Sequence, residues 1–234
     1  MPPRLGACLV AEFVGAFALT CVGVLAIHNA PPGNAGLISI ALAHGLILAI
    51  GVTAAMPTSG GHLNPAVTIG FLLTGRISPV AGVAYIIIQL LGATSAALLV
   101  FVLYGAGTDA AIIVKDGTPV PGAPVMVALL AEIVATFLLG FAIWGSAVDP
   151  RHRNVGGFAI GLTIAADILA FGPISGASMN PSRSFGPTLI ASLAPNSGVL
   201  WRTHWIYWVG PIIGASLAAL VYHLVMMPRS SESR

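Results

Sequence analysis

Apolar residues along this chain gather into six long runs, at about 5–27, 35–56, 82–104, 125–147, 155–173 and 204–227. Each is near the ~20 apolar residues that a helix needs to cross a bilayer. Polar and charged residues collect between the runs. Two further apolar stretches, at about 64–73 and 180–190, are too short to cross. The pattern predicts an all-α membrane protein of six transmembrane helices and two short helices that enter the membrane without spanning it.

Composition agrees. Of 234 residues, 57% are hydrophobic and 7% are charged, against about 25% charged in soluble domains. That excludes a soluble enzyme, a nucleic-acid-binding domain and a disordered chain. Net charge is +2, which says little about partners. The 28 Gly and 17 Pro are many for plain hydrophobic rods. Cys8 and Cys21 share the first apolar run. At 1.5 Å per residue they stand about 20 Å apart along a helix, beyond disulfide reach, so both are read as packing residues. Met1-Pro2-Pro3-Arg4 before an apolar run resembles the opening of a signal peptide, but the run 5–27 exceeds a signal-peptide core. A retained first span is expected.

Lys and Arg orient the spans. With both termini cytoplasmic, Arg4, Arg76, Arg151, Arg153, Arg229 and Arg234 lie inside, and Lys115 and Arg202 outside. Trp201, Trp205 and Tyr207 then fall near the outer interface.

The two halves repeat. Ala11-Glu12-Phe13-Val14 matches Ala131-Glu132-Ile133-Val134 at an offset of 120. Ser59-Gly60-Gly61-His62-Leu63-Asn64-Pro65 matches Ser175-Gly176-Ala177-Ser178-Met179-Asn180-Pro181 at an offset of 116. Gly92-Ala93-Thr94 resembles Gly214-Ala215-Ser216 at an offset of 122. Three spans per half is an odd number, so the second half enters from the opposite face, an inverted repeat with a site near the midplane. Asn is a strong N-cap and Pro suits the first helical position. Asn64-Pro65-Ala66 and Asn180-Pro181-Ser182 therefore read as two helix starts meeting mid-membrane. The Gly-rich runs before them put irregular backbone at a depth where only protein or a watery cavity can satisfy it. Carbonyls of Gly60, Gly61, His62, Leu63, Gly176, Ala177, Ser178 and Met179 are expected to line a pore.

On these residues the chain resembles the aquaporins, the major intrinsic protein family. The likeness covers nearly the whole chain. It is carried by Ser-Gly-Gly-His-Leu-Asn-Pro-Ala-Val-Thr (59–68), Ser-Met-Asn-Pro-Ser-Arg-Ser-Phe-Gly-Pro (178–187) and His204-Trp205-Ile206-Tyr207-Trp208. Ser182 departs from the family's usual Ala. The resemblance implies a right-handed bundle forming one channel domain over 1–234, with repeats at about 5–104 and 125–227 and an outer loop at 105–124. It implies a homotetramer in the lipid bilayer with one pore per subunit, conducting water and small neutral solutes, with no cofactor and no nucleic acid. It places a selectivity filter at His44, Ile168, Ala177 and Arg183, and makes Glu12 and Glu132 braces for the loops, each acid's loop being unassigned. A charge at the depth of Arg183 is costly and faces a cavity. Water-only members carry an aromatic ring and a histidine where this chain has His44 and Ile168. The set His-Ile-Ala-Arg, and the stretch 167–173, resemble the plant tonoplast and aquaporin-8-type branch, associated with water, ammonia and hydrogen peroxide. Ser184 and the pair Tyr207-Trp208 argue against the glycerol branch. No cysteine falls at a filter position, so weak block by mercurials is expected.

Asp167 is expected to hydrogen-bond loop backbone or shape the outer vestibule, and His62 to line the cytoplasmic side of the pore. His28, His152, His204 and His223 are read as interfacial or loop residues. A proton relay is the functional alternative for Glu12 and Glu132. The scattered histidines show no metal-ligand spacing, and no Ser/His/acid set shares a segment, so neither a metal nor an enzyme is expected. A glycerol-type facilitator and a junctional structural protein are the other readings.

Overall fold

The computed structural model describes residues 4–151, 155–194 and 198–228. Arg153, Arg229 and Arg234 of the charge bias, and His152, lie outside the described residues. Each apolar run forms helix: α1 (Leu5–His28), α2 (Asn34–Ser59), the short α3 (Pro65–Leu73), α4 (Pro79–Leu103), α5 (Thr108–Asp116), α6 (Val125–Ile143), α7 (Phe158–Ser175), the short α8 (Pro181–Ala191), α9 (Gly198–His204) and α10 (Ile206–Val221). Among the described residues, six helical stretches are long and apolar enough to cross a membrane. Val10, Val14, Leu42, Leu46 and Ile50 on α1 and α2 point outward, as side chains facing lipid do.

Two spans run past their expected ends. Helices α2 and α7 contain Pro57 and Pro173 and continue to Ser59 and Ser175. A proline this close to a C-terminus removes little of the hydrogen-bond ladder. The stop is set by glycine instead. Gly60 and Gly176 adopt φ of 89° and 81°, and their N–H groups close on the carbonyls of Met56 and Gly172. That is the left-handed cap that only glycine takes without strain.

Helix α6 is prolonged by a π-turn over Trp144–Val148, and α10 by another over Tyr222–Met226. The two are tied together. The Asp149 carboxylate accepts from the Tyr222 hydroxyl at 3.0 Å and from the Arg151 guanidinium. Hydrogen bonding from Arg151 holds the Asp149 carboxyl well below the usual carboxylate range.

The region 105–124 holds an element that the sequence reading missed. Helix α5 buries Ala110, Ala111 and Val114 and packs on α8, α4 and α1. Its signal was present: an apolar face at helical spacing, with Asp109 in the first turn and Lys115 in the last, each placed to suit the helix dipole. The segment after it lies against the C-terminal end of α7, where the Gly122 and Ala123 N–H groups donate to the Ile174 carbonyl at 3.0 Å.

The two halves interlock. Helix α1 packs on α2 and α4, as α6 packs on α7 and α10, while α2 meets α7 across the halves. Each short helix is held by the other half: α3 lies against α10, and α8 against α4. The start of α3 therefore meets the start of α8.

Candidate functional site

Pro65 and Pro181 open α3 and α8 behind Asn64 and Asn180, whose backbone is extended at φ of −157° and −148°. Asn64 Oδ1 accepts from the Ala66 N–H at 2.9 Å. Asn180 Oδ1 accepts from the N–H groups of Ser182 and Arg183 at 3.0 and 3.3 Å. The amide nitrogens cross over. Asn64 Nδ2 donates to the Met179 carbonyl at 2.8 Å, and Asn180 Nδ2 to the Leu63 carbonyl at 2.9 Å. An amide NH2 has two hydrogens, so one from each Asn is spent on locking the helix starts together.

Ser182 adds a bond that an alanine cannot make. Its hydroxyl donates to Asn180 Oδ1 at 2.8 Å, a third donor on that oxygen. Ser182→Ala is expected to lower stability by about 1 kcal/mol, the typical net worth of one hydrogen bond, and to leave water permeability unchanged. Thermal unfolding in detergent beside a water-flux assay checks both.

The loops before the two Asn are strained. Leu63, Ala177 and Met179 have φ of 51°, 42° and 53°, a region that costs L-residues free energy. Two buried carboxylates hold them there, each bracing the loop of its own half. Glu12 Oε1 accepts from Ser59 Oγ at 2.6 Å and the His62 N–H at 2.9 Å; Oε2 accepts from the Leu63 N–H at 2.6 Å and Gln89 Nε2 at 2.7 Å. Glu132 Oε1 accepts from Ser175 Oγ at 2.8 Å and the Ser178 N–H at 2.9 Å, and Oε2 from the Met179 N–H at 2.8 Å. Tyrosines complete each cradle: Tyr85 donates to the Ser59 carbonyl at 2.9 Å, and Tyr207 to that of Ser175 at 2.7 Å.

Tyr207 is thus buried, at 1% exposure, and not interfacial. Trp201 and Trp205 are exposed. His204 is also buried, accepting from Trp208 Nε1 at 3.1 Å, whereas His28 and His223 are exposed. Asp167 is buried, and its Oδ2 accepts no hydrogen bond from loop backbone.

A cavity in this region is lined by two unlike sets of residues. One set is apolar: Leu19, Leu48, Val52, Val67, Leu139, Ile143, Ile160, Ile164 and Ile168. The other is Gly61, His62, Asn64, Ala177, Ser178, Met179 and Asn180. His44 and Arg183 line it as well. Gly60, Gly61 and His62 border a second cavity, which shares Gly61, His62, Val67, Ile143 and Ile160 with the first and also reaches Phe71 and Val148. Leu63 and Gly176 border neither: the Leu63 carbonyl is taken by Asn180, and Gly176 abuts Pro119 and Val120. Neither Cys8, which bonds to the Thr58 carbonyl, nor Cys21 borders them.

The structure brings His44, Ile168, Ala177 and Arg183 to the same cavity. His44 Nδ1 lies 2.8 Å from the Ile40 carbonyl, and Nε2 lies 3.3 Å from Arg183 Nη2. A carbonyl only accepts and a guanidinium only donates. The ring is therefore the neutral Nδ1–H tautomer, with its Nε2 lone pair facing Arg183. Arg183 Nη1 has no protein partner.

The comparisons with known proteins decide the family. The family model described as "Major intrinsic protein" matches residues 4–222. The chain belongs to the major intrinsic protein family. It is 46% identical over 204 residues to Aquaporin TIP4-4 of Zea mays, covering 84% of this chain and 75% of that one. It is 39% identical over 238 residues to Probable aquaporin TIP3-2 of Arabidopsis thaliana, covering 95% and 85%. Among solved structures, the aquaglyceroporin from Plasmodium falciparum superposes with a TM-score of 0.82 over 95% of this chain and 97% of that one, at 23% identity; that likeness speaks for the fold alone. As a member of this family the chain is a multi-pass integral membrane protein, a passive channel for small neutral solutes and not an enzyme.

Proposed function

We propose that the whole chain is one channel domain that passes water, and ammonia with it, with hydrogen peroxide as a further candidate, and excludes protons and ions. His44, Ile168, Ala177 and Arg183 form its filter, and Asn64 and Asn180 its midpoint. The observation that carries this reading is that the His44–Arg183 contact and Ile168 line the same cavity. The Arg183 guanidinium is the donor the filter has, and Ile168 offers nothing polar. Ammonia is a neutral acceptor of nearly water's size, so one donor beside an apolar wall suits it as well as water.

Exclusion of protons follows from charge. The positive ends of α3 and α8 meet at the Asn pair, each worth about half a charge, and Arg183 adds a full one. A water at the midpoint accepts the free amide hydrogen of each Asn, turning its own hydrogens outward along the pore. That interrupts the hydrogen-bond wire a proton would follow. We place both termini in the cytoplasm on the Arg bias, and assemble the channel as a homotetramer, the arrangement the family resemblance implies.

The test is stopped-flow light scattering on proteoliposomes under osmotic and ammonia gradients. Replacing the filter pair with His44→Phe and Ile168→His is expected to lower the ammonia-to-water permeability ratio about tenfold, equivalent to ~1.4 kcal/mol on the barrier. Wild-type protein that conducts water but passes no ammonia above empty vesicles would overturn the ammonia assignment.

A further inference from the structure

We infer that Gly23 on α1, which no motif singles out, is a specificity-determining position: the absence of its side chain is what lets His44 reach Arg183. The inference rests on the filter reading above and names the residue that positions one of its members.

Two observations carry it. The first is contact. A methyl group placed on Gly23 would lie 2.5 Å from His44 Nε2 and 3.1 Å from Cδ2 and Cε1. No carbon approaches a ring atom that closely without something moving. The ring is not free to yield within its own place, since Nδ1 is held by the Ile40 carbonyl one turn back on α2 and Nε2 faces Arg183. With α1 behind it and the cavity in front, the ring's retreat is into the cavity.

The second observation is the repeat. At the offset of 120 that relates Glu12 to Glu132, Gly23 corresponds to Ile143. At the offset of 116 that relates Asn64 to Asn180, His44 corresponds to Ile160. In the second half these two positions are a pair of isoleucines, both lining the cavity. In the first half the same two positions are glycine and histidine. The bulk removed from α1 is the room taken by the imidazole on α2. A close-packed interior requires such compensation. The exchange puts a polar ring into the cavity lining from the first half and methyl groups from the second.

Four full-length proteins test this: wild type, Gly23→Ala, His44→Ala and the double variant. Gly23→Ala is expected to lower water permeability per inserted channel about tenfold, equal to ~1.4 kcal/mol on the barrier, and to change the ammonia-to-water ratio. In the His44→Ala background the same change is expected to do neither. Melting temperature in detergent should follow suit: lowered by Gly23→Ala alone, unaffected by it once the imidazole is gone. Should Gly23→Ala fail to fold while the double variant folds, the clash with His44 is the cause and the inference stands. It falls if Gly23→Ala matches wild type, or if its effect on flux or melting is the same with and without His44. An absence of ammonia flux in wild type strikes the proposed substrate, whereas the melting comparison still decides Gly23.

Discussion

Glu132→Ala is expected to leave no folded channel. The carboxylate is fully buried and satisfies three donors, Ser175 Oγ and the N–H groups of Ser178 and Met179. Two of these are backbone groups that cannot turn elsewhere. An orphaned buried donor costs about 1–3 kcal/mol, so the three together approach the ~5–15 kcal/mol that keeps a typical protein folded. The loss is compounded by geometry, because Ala177 and Met179 sit at left-handed φ only while their loop is braced. Glu12→Ala should fare no better, since it also takes from Gln89 Nε2 one of its two acceptors, leaving only Thr68 Oγ1. Glu132→Gln keeps the shape but turns an NH2 group toward donors, and should fold with a lowered melting temperature. Yield of monodisperse protein in detergent and its melting curve are the measurements. A Glu132→Ala protein with wild-type yield and water flux would contradict the bracing role.

Arg183→Val should open the pore to protons. The repeat makes valine the natural replacement, because Val67 is the residue that corresponds to Arg183 in the first half. Removing the guanidinium deletes the one full positive charge among the described residues that line the cavity and leaves His44 Nε2 without its donor. A unit charge acting at about 4 Å with an effective dielectric constant near 20 is worth about 4 kcal/mol. On that scale proton conductance rises by a factor on the order of a thousand, with water permeability kept or raised. Dissipation of an imposed pH gradient across proteoliposomes reads this directly. A variant as tight to protons as wild type would shift the whole barrier onto the Asn64–Asn180 midpoint.

Much of this architecture was legible because it is local or periodic. Hydropathy marks the six spans, and an Asn-Pro pair before a ten-residue apolar stretch marks each half-helix. The inverted repeat follows from three short matches. What stayed hidden depends on partners far apart in the chain. No local pattern tells that Glu12 braces the loop fifty residues on in its own half, or that Tyr207 donates to Ser175 and not to an interface. The carbonyls of Leu63 and Met179 looked equivalent to their neighbours, yet the opposite asparagine takes each of them. Gly23 was one glycine among twenty-eight, and only the position of the His44 ring gives it meaning. Helix α5 was missed for a different reason: the Gly and Pro on both sides of it drew the reading toward a loop.

The central claim is that this chain conducts water and ammonia through one pore while refusing protons. Purified protein reconstituted into vesicles, exposed in turn to an osmotic, an ammonia and a proton gradient in one stopped-flow instrument, tests it most directly. The account predicts water and ammonia relaxations both faster than in empty vesicles, with a proton leak no greater than theirs. Water and ammonia rates equal to those of empty vesicles, or a proton leak rising with the protein content, would contradict it.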